Sequence, residues 1–137
     1  MNFDINWLAA IVSGIAAFML GSVWYSSRLF GKPWMRAMGI TLNDIKDSEK
    51  PMGPALLASL ASSLAMCVVM AVLLKSLGVD GWHYGVGLGA LLYFGFNGAS
   101  FFRLIFWEDR PVALFLISGG YDLCCFMLAG GLLVLWK

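Results

Sequence analysis

One carboxylate in this chain stands where carboxylates are rare. Asp122 lies near the middle of residues 112–136, VALFLISGGYDLCCFMLAGGLLVLW, a stretch long enough to cross a bilayer. An acid at such a place can take up and release a proton, hold a cation, or in its neutral form tie helices together by a hydrogen bond. A central Asp costs about 2.5–3.5 kcal/mol on insertion, while each Leu, Ile, Phe or Val returns roughly 0.3–0.6 kcal/mol. The 12 such residues between positions 112 and 135 outweigh it. The penalty nevertheless persists unless Asp122 finds a partner or keeps its proton. At helical spacing Phe115, Ser118, Gly119, Asp122, Cys125 and Ala129 share one face, small and polar in its middle. Such a face belongs inside a bundle rather than against lipid.

The other chemistry-bearing residues build no complete site. His83, the one histidine, is flanked by Trp82 and Tyr84 and reads as an anchor in an interfacial aromatic belt. Cys67, Cys124 and Cys125 all lie in apolar runs, and an odd set in that setting argues against a disulfide framework. No Cys/His spacing suggests zinc. No nucleophile–base pair or phosphate loop is visible, so neither an enzyme nor a bound metal or cofactor is expected.

The elements that must position Asp122 follow from composition. Of 137 residues, 61% are hydrophobic and 12% charged. A soluble domain is nearer half apolar and a quarter charged, so a single integral membrane domain is expected over residues 1–137. Four spans are read at about 6–25, 54–74, 84–102 and 112–136, giving an all-α, four-helix transmembrane bundle. Ala10, Gly14, Ala17 and Gly21 form a small-residue stripe on the first span, and Gly85 and Gly89 a GxxxG pair on the third. Ser59, Ser62 and Ser63 bring hydroxyls to the second span, where bonding back to the helix is the ordinary outcome. The connection 26–53 alternates Phe30, Trp34, Met35 and Met38 with Arg28, Lys32 and Arg36, as a segment lying at the headgroups would. Thr41 and Asp44 resemble a capping pair that opens a short helix reaching Lys50.

Charge placement gives the orientation. Arg28, Lys32, Arg36, Lys46, Lys50, Arg103 and Arg110 fall on one side, Lys75 and Lys137 on the other. The positive-inside rule then puts loops 26–53 and 103–111 in the cytoplasm and both termini outside. Asp122 lies about ten residues, roughly 15 Å, in from the cytoplasmic start of its span. Equal depth on the antiparallel third span falls near Tyr93, with Asn97 opposite Ser118. On the second span it falls near Ser62 and Ser63. A buried polar cluster of Asp122, Tyr93, Asn97, Ser118, Ser62 and Ser63 is therefore expected.

The run Trp24-Tyr25-Ser26-Ser27-Arg28-Leu29-Phe30-Gly31-Lys32-Pro33-Trp34 resembles the signature of a bacterial family of small four-span membrane proteins known only as a domain of unknown function. That pattern reads W-Y-S-P-x-x-F-G-x-x-W. An acidic-x-R-P turn follows, matched by Glu108-Asp109-Arg110-Pro111, and then G-Y, matched by Gly120-Tyr121. Ser27 stands where the family has proline, and Asp122 where many members carry histidine. The resemblance implies a four-span fold in a bacterial inner membrane. It brings no activity with it.

Two functions are compatible with these readings. One is a proton- or cation-linked transporter or channel, assembled as a homo-oligomer because four short helices enclose little volume. The other is a packing or accessory subunit among other membrane subunits. The bilayer is the expected partner in both, and nucleic acid in neither.

Overall fold

The computed structural model describes residues 3–49 and 51–136. It is 81% helical, with no strand among the described residues, as the composition implied. In chain order the elements are α1 (Trp7–Trp24), α2 (Gly31–Met38), α3 (Leu42–Lys46), α4 (Met52–Leu77), α5 (Trp82–Leu92), a π-helical segment (Tyr93–Gly98), α6 (Ala99–Glu108) and α7 (Val112–Leu135). The α5–π–α6 run is one continuous helix. With α1, α4 and α7 it makes four helices long and apolar enough to cross a membrane, as expected of a membrane-embedded protein.

Helix ends follow local chemistry. Asn6 caps α1 by accepting from the Ala9 N–H at 3.0 Å. Thr41 and Asp44 form a full capping box on α3. That helix stops at Lys46, short of the expected reach to Lys50, because a single turn that buries none of its residues has only its cap to sustain it. Lys50 and Lys137 lie outside the described residues. The third helix departs in the other direction. It runs past the expected span end at 102 to Glu108, since Leu104, Ile105, Phe106 and Trp107 stay apolar and no breaker occurs before Pro111. It ends on Asp109, the one non-glycine with positive φ (48°) among the described residues.

The α7 helix is the hub, packing on α1, α2, α4, α5, the π segment and α6. The tightest crossing is α5 on α7, where backbone meets backbone. A Cβ on Gly85 would collide with the Gly130 carbonyl, one on Gly130 with that of Gly85, and one on Gly89 with that of Phe126. The GxxxG pair therefore allows helix approach that side chains would forbid. The α1 stripe does the same. Ala10 and Ala17 are wholly buried, a Gly14 Cβ would sit 2.7 Å from Leu64 Cδ2 of α4, and one on Gly21 would meet the Tyr121 hydroxyl of α7.

Packing is uneven along the bundle axis. The core gathers Ile5, Ala9, Ala10, Cys67, Met70 and Leu133, with Cys67 and Met70 almost fully enclosed. These residues come from the approach to α1 and its start, the second half of α4 and the end of α7, so the bundle is closely packed at that end. Toward the loop-bearing end the helices part. Among the described residues, α4 and the third helix have only marginal contact.

Candidate functional site

Between the parted helices lies a cavity of about 760 Å³. The second half of α1 supplies Phe18, Gly21, Ser22 and Tyr25 to its wall. The first half of α4 supplies Met52, Leu56, Ser59, Ser62, Ser63 and Met66. Asn97 projects from the π segment, and Tyr121, Asp122, Cys125 and Phe126 line the floor on α7. The cavity thus runs from the loop-bearing end to the middle of the bundle, and Asp122 is its one acidic side chain among the described residues.

Asp122 is held by Asn97, whose Nδ2 donates to Oδ2 at 3.3 Å. The register of the Gly85–Gly130 crossing places Tyr93, not Asn97, level with Asp122. Two local effects bring Asn97 in. Side chains lean toward the N-terminus of their own helix, so across an antiparallel pair Asp122 and Asn97 lean toward each other. The π segment also fits more residues into a turn, which leaves Asn97 less far along the axis than α spacing would.

The other members of the expected cluster are distributed differently. Ser62 and Ser63 line the same cavity, but their hydroxyls donate to the carbonyls of Ala58 (2.9 Å) and Ser59 (3.1 Å) in their own helix. Ser59 donates likewise to Ala55 at 2.9 Å. Ser118 turns to the Tyr25 hydroxyl. Tyr93 is buried, its hydroxyl against Gly119 and its ring 6.3 Å from that of Phe126. So Asp122 and Asn97 are joined, the serines share their cavity without touching them, and Ser118 and Tyr93 brace the back of the site.

The residues singled out by the motif after α1 build a clamp. Trp24 Nε1 donates to the Ile117 carbonyl of α7 at 2.9 Å, and its ring packs on Phe30 with centroids 4.7 Å apart. Gly31 admits the Tyr25 and Ser26 carbonyls where a Cβ would collide with both. The Ser26 carbonyl receives the Gly31 N–H at 3.0 Å, closing the turn that folds α2 back onto α7. Trp34 then meets Tyr25 edge to face at 5.7 Å, and Tyr25 meets Tyr121 in the same way at 5.5 Å.

Sequence reasoning missed the tyrosine pair as part of the site. Tyr121 donates its proton to the Ala17 carbonyl at 3.1 Å and gives the cavity its ring. The available signal was its place directly before Asp122 in the G-Y match, but the α1 rotation that brings Tyr25 to it has no sequence signature. Cys125 lies one turn deeper on the expected inward face, its Sγ 3.7 Å from the same Ala17 carbonyl. All three cysteines are free thiols. Among the described residues no group of three His, Cys, Asp or Glu side chains could hold a metal ion.

Comparison with known proteins adds a family and no activity. No curated protein and no solved structure matches the chain significantly. A family model does match, over residues 8–134. On that match, which covers nearly its whole length, the chain belongs to the family described as "Protein of unknown function (DUF1761)".

Proposed function

We propose that the chain is a small, non-catalytic bacterial inner-membrane protein that moves a proton or a cation by way of Asp122. The observation that carries the reading is a carboxylate facing a cavity of about 760 Å³ that reaches only halfway through the bundle. An intramembrane acid facing a cavity and held by an amide is the arrangement expected of an ion or proton path. A cavity closed at one end is what one side of an alternating cycle requires, with Cys67 and Met70 as the closed end. In the orientation given by the basic loops, the open end faces the cytoplasm and both termini lie outside.

Purified protein in liposomes should dissipate or use an imposed pH gradient, read by an entrapped pH-sensitive dye. The Asp122→Asn variant should assemble normally and lose that flux. Equal flux from both forms, or none with any ion tested, would overturn the reading.

An accessory role has its own support. Among the described residues the third helix packs chiefly on α7 and presents Phe94, Phe102, Phe106 and Trp107 outward, the last 86% exposed. Lipid, a second copy of the chain or another subunit could cover that face. Purification in a mild detergent separates these, because a species containing only this chain removes the accessory reading.

A further inference from the structure

We propose that the cavity is a binding site for an organic ammonium ion, a monocation on a hydrophobic body, in preference to a bare metal ion or an anion. The inference rests on the transport reading for its setting and on the cavity wall for its chemistry.

The polar wall accepts hydrogen bonds and donates few. Ser59, Ser62 and Ser63 give their protons to their own helix, so only lone pairs face the cavity. Tyr121 has likewise given its proton to the Ala17 carbonyl. Asp122 adds a carboxylate, one oxygen of which Asn97 occupies while the other is free to accept. Among the described residues no Lys or Arg lines the cavity. An N–H-bearing cation would find acceptors on two sides and no cationic side chain in its way, whereas an anion would meet the Asp122 carboxylate without a cation to offset it.

Size and shape exclude a bare ion as the best fit. A dehydrated hard cation such as Ca2+ or Mg2+ takes about six or more oxygens at close range. Here the helix carbonyls are engaged in their own ladders, and one carboxylate stands in a space of about 760 Å³. That volume lies within the range of small-molecule pockets, roughly 300–1,000 Å³. The remaining wall is apolar and aromatic. Phe18 and Phe126 line the same cavity as the Tyr25–Tyr121 pair, and aromatic rings beside an acid attract a cation. Leu56 and Met66 would hold the hydrocarbon part, Met adapting to its shape.

The test uses the full chain in lipid nanodiscs and a matched trio of probes: 3-phenylpropylammonium, 3-phenylpropanol and 4-phenylbutanoate. Isothermal titration calorimetry is corrected against empty nanodiscs. The ammonium ion should bind saturably, about tenfold or more tighter than the alcohol, and the carboxylate should not bind. Excess sodium or potassium should leave its affinity unchanged. Asp122→Asn should weaken the ammonium by about tenfold or more and leave the alcohol alone. If that variant fails to fold, Ser62→Val, on the exposed side of α4, should weaken the ammonium selectively. Equal binding of ammonium and alcohol, displacement by alkali cations, or no saturable ammonium binding to the unaltered protein would each overturn the proposal. Ammonium binding without any flux would defeat the transport reading alone. Proton flux without ammonium binding would defeat this inference alone.

Discussion

Asn97 and Asp122 meet at 3.3 Å across the third helix and α7, although their backbones are about one turn out of register. The contact exists because each side chain leans toward the other and a π turn lies between Asn97 and the glycine crossing. Polar contacts of this kind between membrane helices contribute roughly 0.6 kcal/mol and at most about 1.7 kcal/mol. Asn97→Ala should therefore lower stability in detergent by that amount, measured as a modest fall in the unfolding midpoint. A loss several times larger would mean that Asn97 supports the π segment itself.

The α5–α7 crossing should tolerate no side chain at its contact. Gly85→Val or Gly130→Val should destabilise by about 1–3 kcal/mol or more, because neither backbone can retreat. Gly87, on the same helix, is different: a Cβ added there would have nothing within 4 Å. Gly87→Ala should be neutral or stabilise by up to about 1 kcal/mol. Thermal unfolding of the three variants side by side checks the contrast, and a uniform response would contradict the close approach.

The turn before α7 depends on left-handed backbone at Asp109. Asp109→Gly should hold or raise stability, and Asp109→Val should lower it by about 1–2 kcal/mol. The adjacent Arg110–Glu108 contact, 3.8 Å and exposed, should contribute little, so Arg110→Gln should leave the unfolding midpoint nearly unmoved.

The α3 cap titrates. The Thr41 hydroxyl, and then its N–H, hold the Asp44 carboxyl below its ordinary value of 3.8. A lowered folded-state value means that the cap's contribution is present above the ordinary carboxylate range and disappears as pH falls through the folded value. The protection of amides 42–46, each exchange rate taken against its intrinsic rate at the same pH, should therefore fall in acid, and Thr41→Val should abolish that pH dependence. Protection that stays constant with pH in the unaltered protein would remove the cap as its cause.

Periodic and compositional features of this fold are legible in the sequence because they depend on one helix at a time. The Ala10–Gly21 stripe, the Gly85/Gly89 pair, the capping pair at Thr41 and the inward face bearing Gly119, Cys125 and Ala129 belong to that class. What depends on the rotation of one helix against another is not legible. The spacing puts Asn97 and Asp122 on facing helices with Asn97 level with Ser118; that Asn97 reaches Asp122 depends on side-chain lean and on a π turn for which α-helical counting has no place. The serines are visible as hydroxyls at the right depth, but their proton donations to the backbone are settled only by rotamer. Trp24, Tyr25, Phe30, Gly31 and Trp34 stand out as a motif. Their work, folding α2 onto α7 and bringing Tyr25 to Tyr121, emerges only when the turn closes on the Ser26 carbonyl.

The uneven support of the third helix makes it a lever. Its fulcrum is the glycine crossing near Gly89, its arm, more lightly held against α7, ends at Glu108, and the π turn is an elbow between them. At about 1.5 Å per residue the arm is roughly 28 Å long, so a tilt of about 10° at the fulcrum moves its tip by about 5 Å. Spin-label distances from α7 should broaden steadily from α5 to the end of α6, and equal widths throughout would rule the lever out. Because Asn97 rides on that arm, the same small tilt that swings the tip also sets the distance between the amide and its acid.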